Sequence, residues 1–267
     1  MKQYISFFKL KFICGLQYRA AALAGLSTQL FFGIVSVMVY ILFYSSGTSN
    51  VGITLEQIIT YLWLNQAFFA LIYIWHKDNE ILKMIRNGDI AYELCRPQNL
   101  YVMWYMRILS SKLSAVLLRS VPIIMIAYLL PKPYKMMLPI SINAFILFIF
   151  IMIISTLLIT SIIVLLYIIS SYTVDDKGVF AIVCTISDIL SGQAIPLALF
   201  PPLFANIISF LPFAYISDFA FRVFSGNIVG FAITKGIIIE LLWTIFLTVI
   251  GYILTNRILK RVVVQGG

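Results

Sequence analysis

Three ionisable side chains stand alone in otherwise apolar sequence: Arg119 in LSAVLLRSVPIIMIAYL, Asp188 in FAIVCTISDIL and Glu240 in GIIIELLW. A charge in such surroundings is costly when unpaired, so groups of this kind pair with one another, relay protons or line a path for polar cargo. Arg119 with Asp188 or Glu240 is the simplest ion pair. Other chemistry lacks its parts. The single histidine, His76, follows Trp75 with no GxSxG near it, and Cys14, Cys95 and Cys184 have neither CxxC spacing nor histidine companions. No catalytic residue and no metal ligand is therefore expected. A GxxxxGK[ST] loop is absent too, so this chain is not expected to cradle nucleotide phosphates itself.

The elements that must position these residues follow from composition. The chain has 267 residues, of which 62% are hydrophobic and 11% charged, with a mean hydropathy of +1.02. That is far from the globular balance of about a quarter charged, and the apolar runs exceed the roughly 18 residues that mark a spanning helix. Strands of alternating polarity, which a barrel would need, are absent. The reading is an all-α integral membrane protein with six transmembrane helices, over 22–44, 54–75, 107–130, 139–170, 178–195 and 230–255. The net charge of +9 belongs to topology rather than to nucleic acid. Basic residues gather at the N-terminus (Lys2, Lys9, Lys11, Arg19), in the loop 76–112 and in the tail (Arg257, Lys260, Arg261), against Lys132, Lys135 and Arg222 on the other side. Both termini are accordingly expected in the cytoplasm, with the chain in the plasma (inner) membrane. The first apolar stretch is too long for a signal-peptide core, so it is expected to remain as a span.

Two segments fall outside the spans. Residues 1–21 mix Phe7, Phe8 and Phe12 with Lys9, Lys11 and Arg19, as an interfacial helix does, although a snorkelling extension of the first span fits as well. Residues 196–229 imitate another span, but an odd count would put the basic tail outside, and Pro201-Pro202, Pro212 and Asp218 interrupt the run. The expectation is a pair of short re-entrant helices dipping in from the outer face.

The loop 76–106 is too long and too patterned for an idle connection. Asp78 and Asn79 can cap a short helix whose Ile81, Leu82 and Ile85 share one face while Lys83, Arg86 and Asn87 take the other. Gly88 can end it in the left-handed conformation, Asp89 can cap a second short helix through Glu93, and Arg96-Pro97 ends that one.

These residues resemble the permease subunit of type-2 ATP-binding cassette exporters, the ABC-2 transporter family. The resemblance covers nearly the whole chain. "IRNGDIAYELCRP" is similar to the family's G-x-hydrophobic…L-x-R-P loop, and "SGQAIPLALFP" to its S-G-x-x-x-P-x-x-x-F-P turn. The resemblance implies a coupling helix at Ile81–Leu94, with Ile81, Leu82 and Ile85 packing in a groove of the ATPase and Lys83 and Arg86 meeting acidic partners. Gly88, Leu94, Arg96 and Pro97 would shape its end. It implies an outer gate from Gly192, Pro196, Phe200, Pro201, Phe204, Phe210 and Phe213, the four phenylalanines forming an apolar plug. It also implies two ABC ATPase subunits, holding the ATP and magnesium that this chain does not bind, and a second permease chain, the same protein or a different one. Cargo would be amphipathic or lipophilic: a drug, peptide or lipid-linked molecule. The rivals are an ion-gradient-driven secondary transporter, which would usually show two related halves that are not seen here, and a membrane anchor, which would need no re-entrant segment.

Overall fold

The computed structural model describes residues 2–17, 19–47, 52–90, 93, 98–173 and 176–258. Among them the chain is helical throughout, with no strand: α1 (Lys2–Gln17), α2 (Arg19–Ser45), α3 (Leu55–Ile72), α4 (Asn79–Asn87), α5 (Leu100–Leu129), α6 (Ile142–Thr173), α7 (Asp176–Leu190), α8 (Pro202–Ile208), α9 (Asp218–Phe224) and α10 (Phe231–Ile258). Single 3-10 turns stand at Leu197–Leu199 and Pro212–Tyr215.

Four helices are long and apolar enough to cross a membrane: α2 from Ala22, α5, α6, and α10 to Arg257. They match the first, third, fourth and sixth expected spans. The second and fifth are helical but stand apart from that group. Helix α3 has 18 residues and carries Glu56, Gln57, Asn65 and Gln66. Helix α7 has 15, a length of about 22 Å against the roughly 30 Å of a hydrocarbon core. Its helix stops where Gly192 turns with φ 79°.

Helix α3 is the buried centre of the bundle. Its start is fixed by a reciprocal cap, Thr54 accepting from the Gln57 amide while the Gln57 side chain accepts from the Thr54 amide. Ile58, Tyr61, Trp63, Leu64, Ala67 and Ile72 are buried between α2, α5, α6 and α9. Gly33 of α2 lets the Trp63 ring approach its backbone, 2.8 Å from where a Cβ would stand. Helix α6 is apolar on every side and is buried along much of its length, through Ile151, Leu158, Ile159 and Val164, against α5, α9 and α10. The outer surfaces of α2 and α10 instead expose Leu23, Phe31, Leu42, Leu242, Ile245 and Val249. An apolar periphery around a core holding the polar groups suits helices surrounded by lipid.

The segment expected as an interfacial helix is α1, none of whose residues is buried. It runs beside the first half of α5 in the same direction: Tyr4 Oη accepts from the Asn99 amide at 2.9 Å, and Gly15 meets Ser114 so closely that a Cβ would overlap it. Between α7 and α10 the chain forms short helices rather than a long one, as the prolines require. The segment turns back beside the middle of α6, where Ser155 Oγ lies 2.8 Å from the Tyr215 carbonyl oxygen, and returns through α9.

Candidate functional site

The Tyr73 amide makes the last bond of α3, to the Phe69 carbonyl oxygen, and the chain then reaches Asp78 through residues 74–77, which are not helical. Other elements hold it. Lys112 of α5 is 4% exposed, and its ammonium caps the end of α3, donating to the carbonyl oxygens of Ala70 (3.4 Å) and Tyr73. Trp75 Nε1 donates to Asp188 Oδ2 of α7 at 2.7 Å, the Lys77 ammonium sits 4.5 Å from the centre of the Phe180 ring, and the Asp78 amide donates to Tyr167 Oη of α6 at 2.6 Å.

Asp78 then starts α4 as its cap, Oδ1 accepting from the Glu80 and Ile81 amides at 3.0 and 3.3 Å. Its carboxylate is also gripped by Arg107 of α5, Nη2 lying 3.0 Å from Oδ1, and the same guanidinium reaches Glu80. The Arg107 hydrogen bond, with help from Lys11 3.8 Å away, holds the Glu80 carboxyl below its ordinary value. Gly88 ends the helix with φ 75° and ψ 5°. Ile90 and Glu93 are again helical, while Leu94, Arg96 and Pro97 lie outside the described residues.

The two faces of α4 separate as their spacing predicts. Ile81, Leu82 and Ile85 are buried within this chain, next to α6, and so are not open to a groove on another protein. Lys83, Arg86, Asn87 and Gly88 are exposed. A partner meeting this elbow meets its polar face.

The isolated charges do not pair with one another. Among the described residues Arg119 makes no ion pair; its guanidinium lies against Gly25 of α2, with Cζ 2.8 Å from where a Cβ would be. Asp188 is held by Trp75, and Glu240 Oε1 lies 2.7 Å from Ser155 Oγ. The expected bridge fails because the three side chains leave their helices toward different neighbours: α2, the end of α3, and α6.

A further acid, Asp218, organises the outer segment. It is 2% exposed, and its Oδ1 accepts from the Leu197 amide at 3.0 Å and lies 3.1 Å from Tyr61 Oη, while Oδ2 lies 3.4 Å from Nη1 of Arg222 one turn on. Tyr61 Oη is also 2.9 Å from the Gly192 carbonyl oxygen, and Arg222 Nε donates to Asn227 Oδ1 at 2.7 Å. Asn227 Nδ2 donates in turn to the Gly52 carbonyl oxygen at 2.8 Å. One carboxylate thus ties the SGQAIP turn, α9 and the entrance of α3 together.

Of the gate residues, Gly192 and Pro196 are buried in this network; Pro201, Phe204 and Phe210 are exposed, and Phe200 and Phe213 half-buried. No ring contact joins any two of the four phenylalanines, so one chain does not form the expected plug. The aromatic packing here is made by Tyr61, Phe68, Phe148, Phe221 and Phe224.

The sequence marks Asp218 only as an interruption of an apolar run and Lys112 only as one basic residue of a loop, and their organising roles are missed in different ways. Lys112 fell where the expected loop, 76–112, and the expected third span, from 107, overlapped; a basic residue in such an overlap belongs to helix as readily as to loop. Asp218 carried its own signal in Arg222 four residues later, an i,i+4 ion pair inside an apolar run.

A comparison with curated proteins gave no match. The family model described as ABC-2 family transporter protein, however, matches residues 30–266, which take in the elbow, the SGQAIP turn and every element from α3 to α10, and the chain belongs to that family.

Proposed function

We propose that this chain is the permease of an ATP-driven exporter whose ATPase is a separate polypeptide. Family membership supports a permease subunit of an ABC transporter. The observation that carries the coupling is the elbow. Helix α4 buries its apolar face in its own chain, is clamped at its cap by α5 and α6, and offers Lys83, Arg86 and Asn87 outward. A helix so mounted passes a push from an ATPase surface into the bundle instead of yielding to it.

In this reading the chain crosses the membrane six times, with both termini and the elbow in the cytoplasm. Helix α3 makes the second crossing, and α7 continued by 191–196 makes the fifth. The segment 196–229 enters from the outer side and leaves by the same side. Two ATPase subunits, holding ATP and magnesium, serve two permease chains, identical or different. Phe204 and Phe210, exposed on one chain, close the outer gate against the second. Cargo is amphipathic or lipophilic, in keeping with an apolar wall.

The test is to extract the tagged chain from its native membrane in mild detergent and ask what accompanies it. Co-purification of an ATPase with nucleotide hydrolysis, lost on reversing Lys83 and Arg86 to glutamate but kept in Ile81→Val, supports the reading. A chain that transports on an ion gradient without ATP would replace it with the secondary transporter.

A further inference from the structure

A cavity of about 220 Å³ opens between the α1–α2 junction and α5, lined by Gly15, Ala22, Ser111, Ser114, Leu118 and Arg119. The α5 residues follow one face of the helix, so the cavity is a groove of about 12 Å that begins one turn beyond Arg107 and ends at Arg119. Arg119 forms no hydrogen bond and no ion pair among the described residues, and its Nε is buried without an acceptor. Asp188 and Glu240 are engaged elsewhere, by Trp75 and Ser155.

Two further features belong to the same place. Cζ, Nη1 and Nη2 of Arg119 lie at nearly equal distances, 2.8, 3.0 and 3.1 Å, from the point where a Cβ of residue 25 would stand, so the guanidinium meets the α2 backbone face-on through the missing side chain. One turn farther along that face of α2, Gln29 is 5% exposed with neither its amide nitrogen nor its oxygen bonded. A guanidinium without an acceptor at the end of an open groove is completed by a bound anion, and the unpartnered Gln29 amide stands one turn beyond the glycine that the guanidinium meets. Apart from the Ser111 and Ser114 hydroxyls the remaining wall is apolar, through Ala22 and Leu118, and their sequence neighbours Leu23 and Leu117 are exposed on the outside of the same helices, which gives an attached hydrocarbon tail a place to lie.

We propose that this groove binds the phosphate head of an anionic amphiphile, with Arg119 as its counterion and bidentate donor. The site rests on the reading of a membrane permease only in that lipid surrounds α2 and α5. It requires no coupling to ATP, so either proposal can fail alone.

The experiment places the full purified chain in nanodiscs of phosphatidylcholine containing phosphatidylglycerol and reads retained lipid by native mass spectrometry. Preferential retention of phosphatidylglycerol is expected, weakened roughly tenfold or more in Arg119→Gln and less in Arg119→Lys, which keeps the charge without the fork. Gly25→Ala, which displaces only the tip of a flexible side chain, is expected to weaken retention with folding intact, as circular dichroism would show. Equal retention by wild type, Arg119→Gln and Gly25→Ala would overturn the proposal. So would binding of inorganic phosphate without lipid, which marks a soluble anion site, or dissociation of paired chains in Arg119→Gln at unchanged lipid, which makes Arg119 an interface residue.

Discussion

Asp78 and Arg107 share one oxygen with the start of a helix. Asp78 Oδ1 accepts from the Glu80 and Ile81 amides and also from Arg107 Nη2 at 3.0 Å, while Oδ2 accepts from Arg107 Nε, so the cap of α4 and the clamp on α5 meet in one carboxylate. Removing the carboxylate therefore does two things at once. Asp78→Asn keeps a capping oxygen but loses the charge, and is expected to leave α4 formed but loosely attached. Asp78→Ala loses the cap, worth about 1 kcal/mol, and leaves Arg107 with Glu80 alone, for a total of roughly 2–3 kcal/mol. Hydrogen exchange of the 79–87 amides in the two variants separates attachment from helix formation; equal protection in both would refute the shared contact.

Acid should loosen the same elbow through Glu80. Arg107 lowers its carboxyl pKa from the ordinary 4.5, so the folded state binds this proton less readily than the unfolded chain does. A depressed acid contributes its stability above the unfolded value and loses it as pH falls through the folded one. Faster exchange at Ile81–Ile85, corrected for the intrinsic rate, is thus expected to set in only below the ordinary carboxyl range, with none on approaching it from neutral pH. Glu80→Gln should flatten that response, and an unchanged profile in this variant would remove Glu80 from the account.

Three glycines at positive φ predict a graded series. At Gly230, φ 64°, a Cβ meets nothing within 4 Å, so Gly230→Ala costs only backbone strain, about 1 kcal/mol. The same change at Gly192 drives a methyl into Tyr61 Oη and close to Asp218 Oδ1, and at Gly226 into the Ile140 side chain. Both are expected to cost roughly 2–4 kcal/mol, with Gly192→Ala also breaking the tie between the SGQAIP turn and α3. Thermal unfolding in detergent gives the order, and a Gly230→Ala protein as unstable as Gly192→Ala would contradict it.

Asp218→Ala leaves the buried Leu197 amide without its acceptor and Arg222 with Asn227 alone and no counter-charge, at a cost of about 3 kcal/mol. Replacing both Asp218 and Arg222 by apolar residues of similar size should recover part of that loss, because the stranded charge goes as well. A double variant no more stable than Asp218→Ala would place the cost in the Leu197 and Tyr61 contacts alone.

Local chemistry was legible in the sequence wherever neighbouring residues decide it. The cap at Asp78, the left-handed stop at Gly88, the two faces of α4 and the short proline-broken helices after Phe200 all follow from residue type and spacing, and all are present. What spacing leaves open is which neighbour a face meets. Ile81, Leu82 and Ile85 form the expected stripe, but whether it covers this chain or another is a tertiary matter, decided by α6. The rotation of each helix likewise decides that Arg119 turns to Gly25 while Asp188 turns to Trp75, and hydropathy carries no information about rotation in segments as evenly apolar as these. Length misled in the same way at α7, where the apolar run 178–195 continues past the turn that ends the helix.

Beyond the Tyr73 amide, which makes the last bond of α3, the stretch to Asp78 has no helix to make it a rod, yet it is not a slack tether. Its anchors, Lys112 at Tyr73, Asp188 at Trp75, Phe180 at Lys77, and Tyr167 with Arg107 at Asp78, belong to α5, α7 and α6. It works as a harness with several straps. Tension applied at the elbow is shared among these helices at once, and slackening any one strap shifts the load to the others rather than cutting the line.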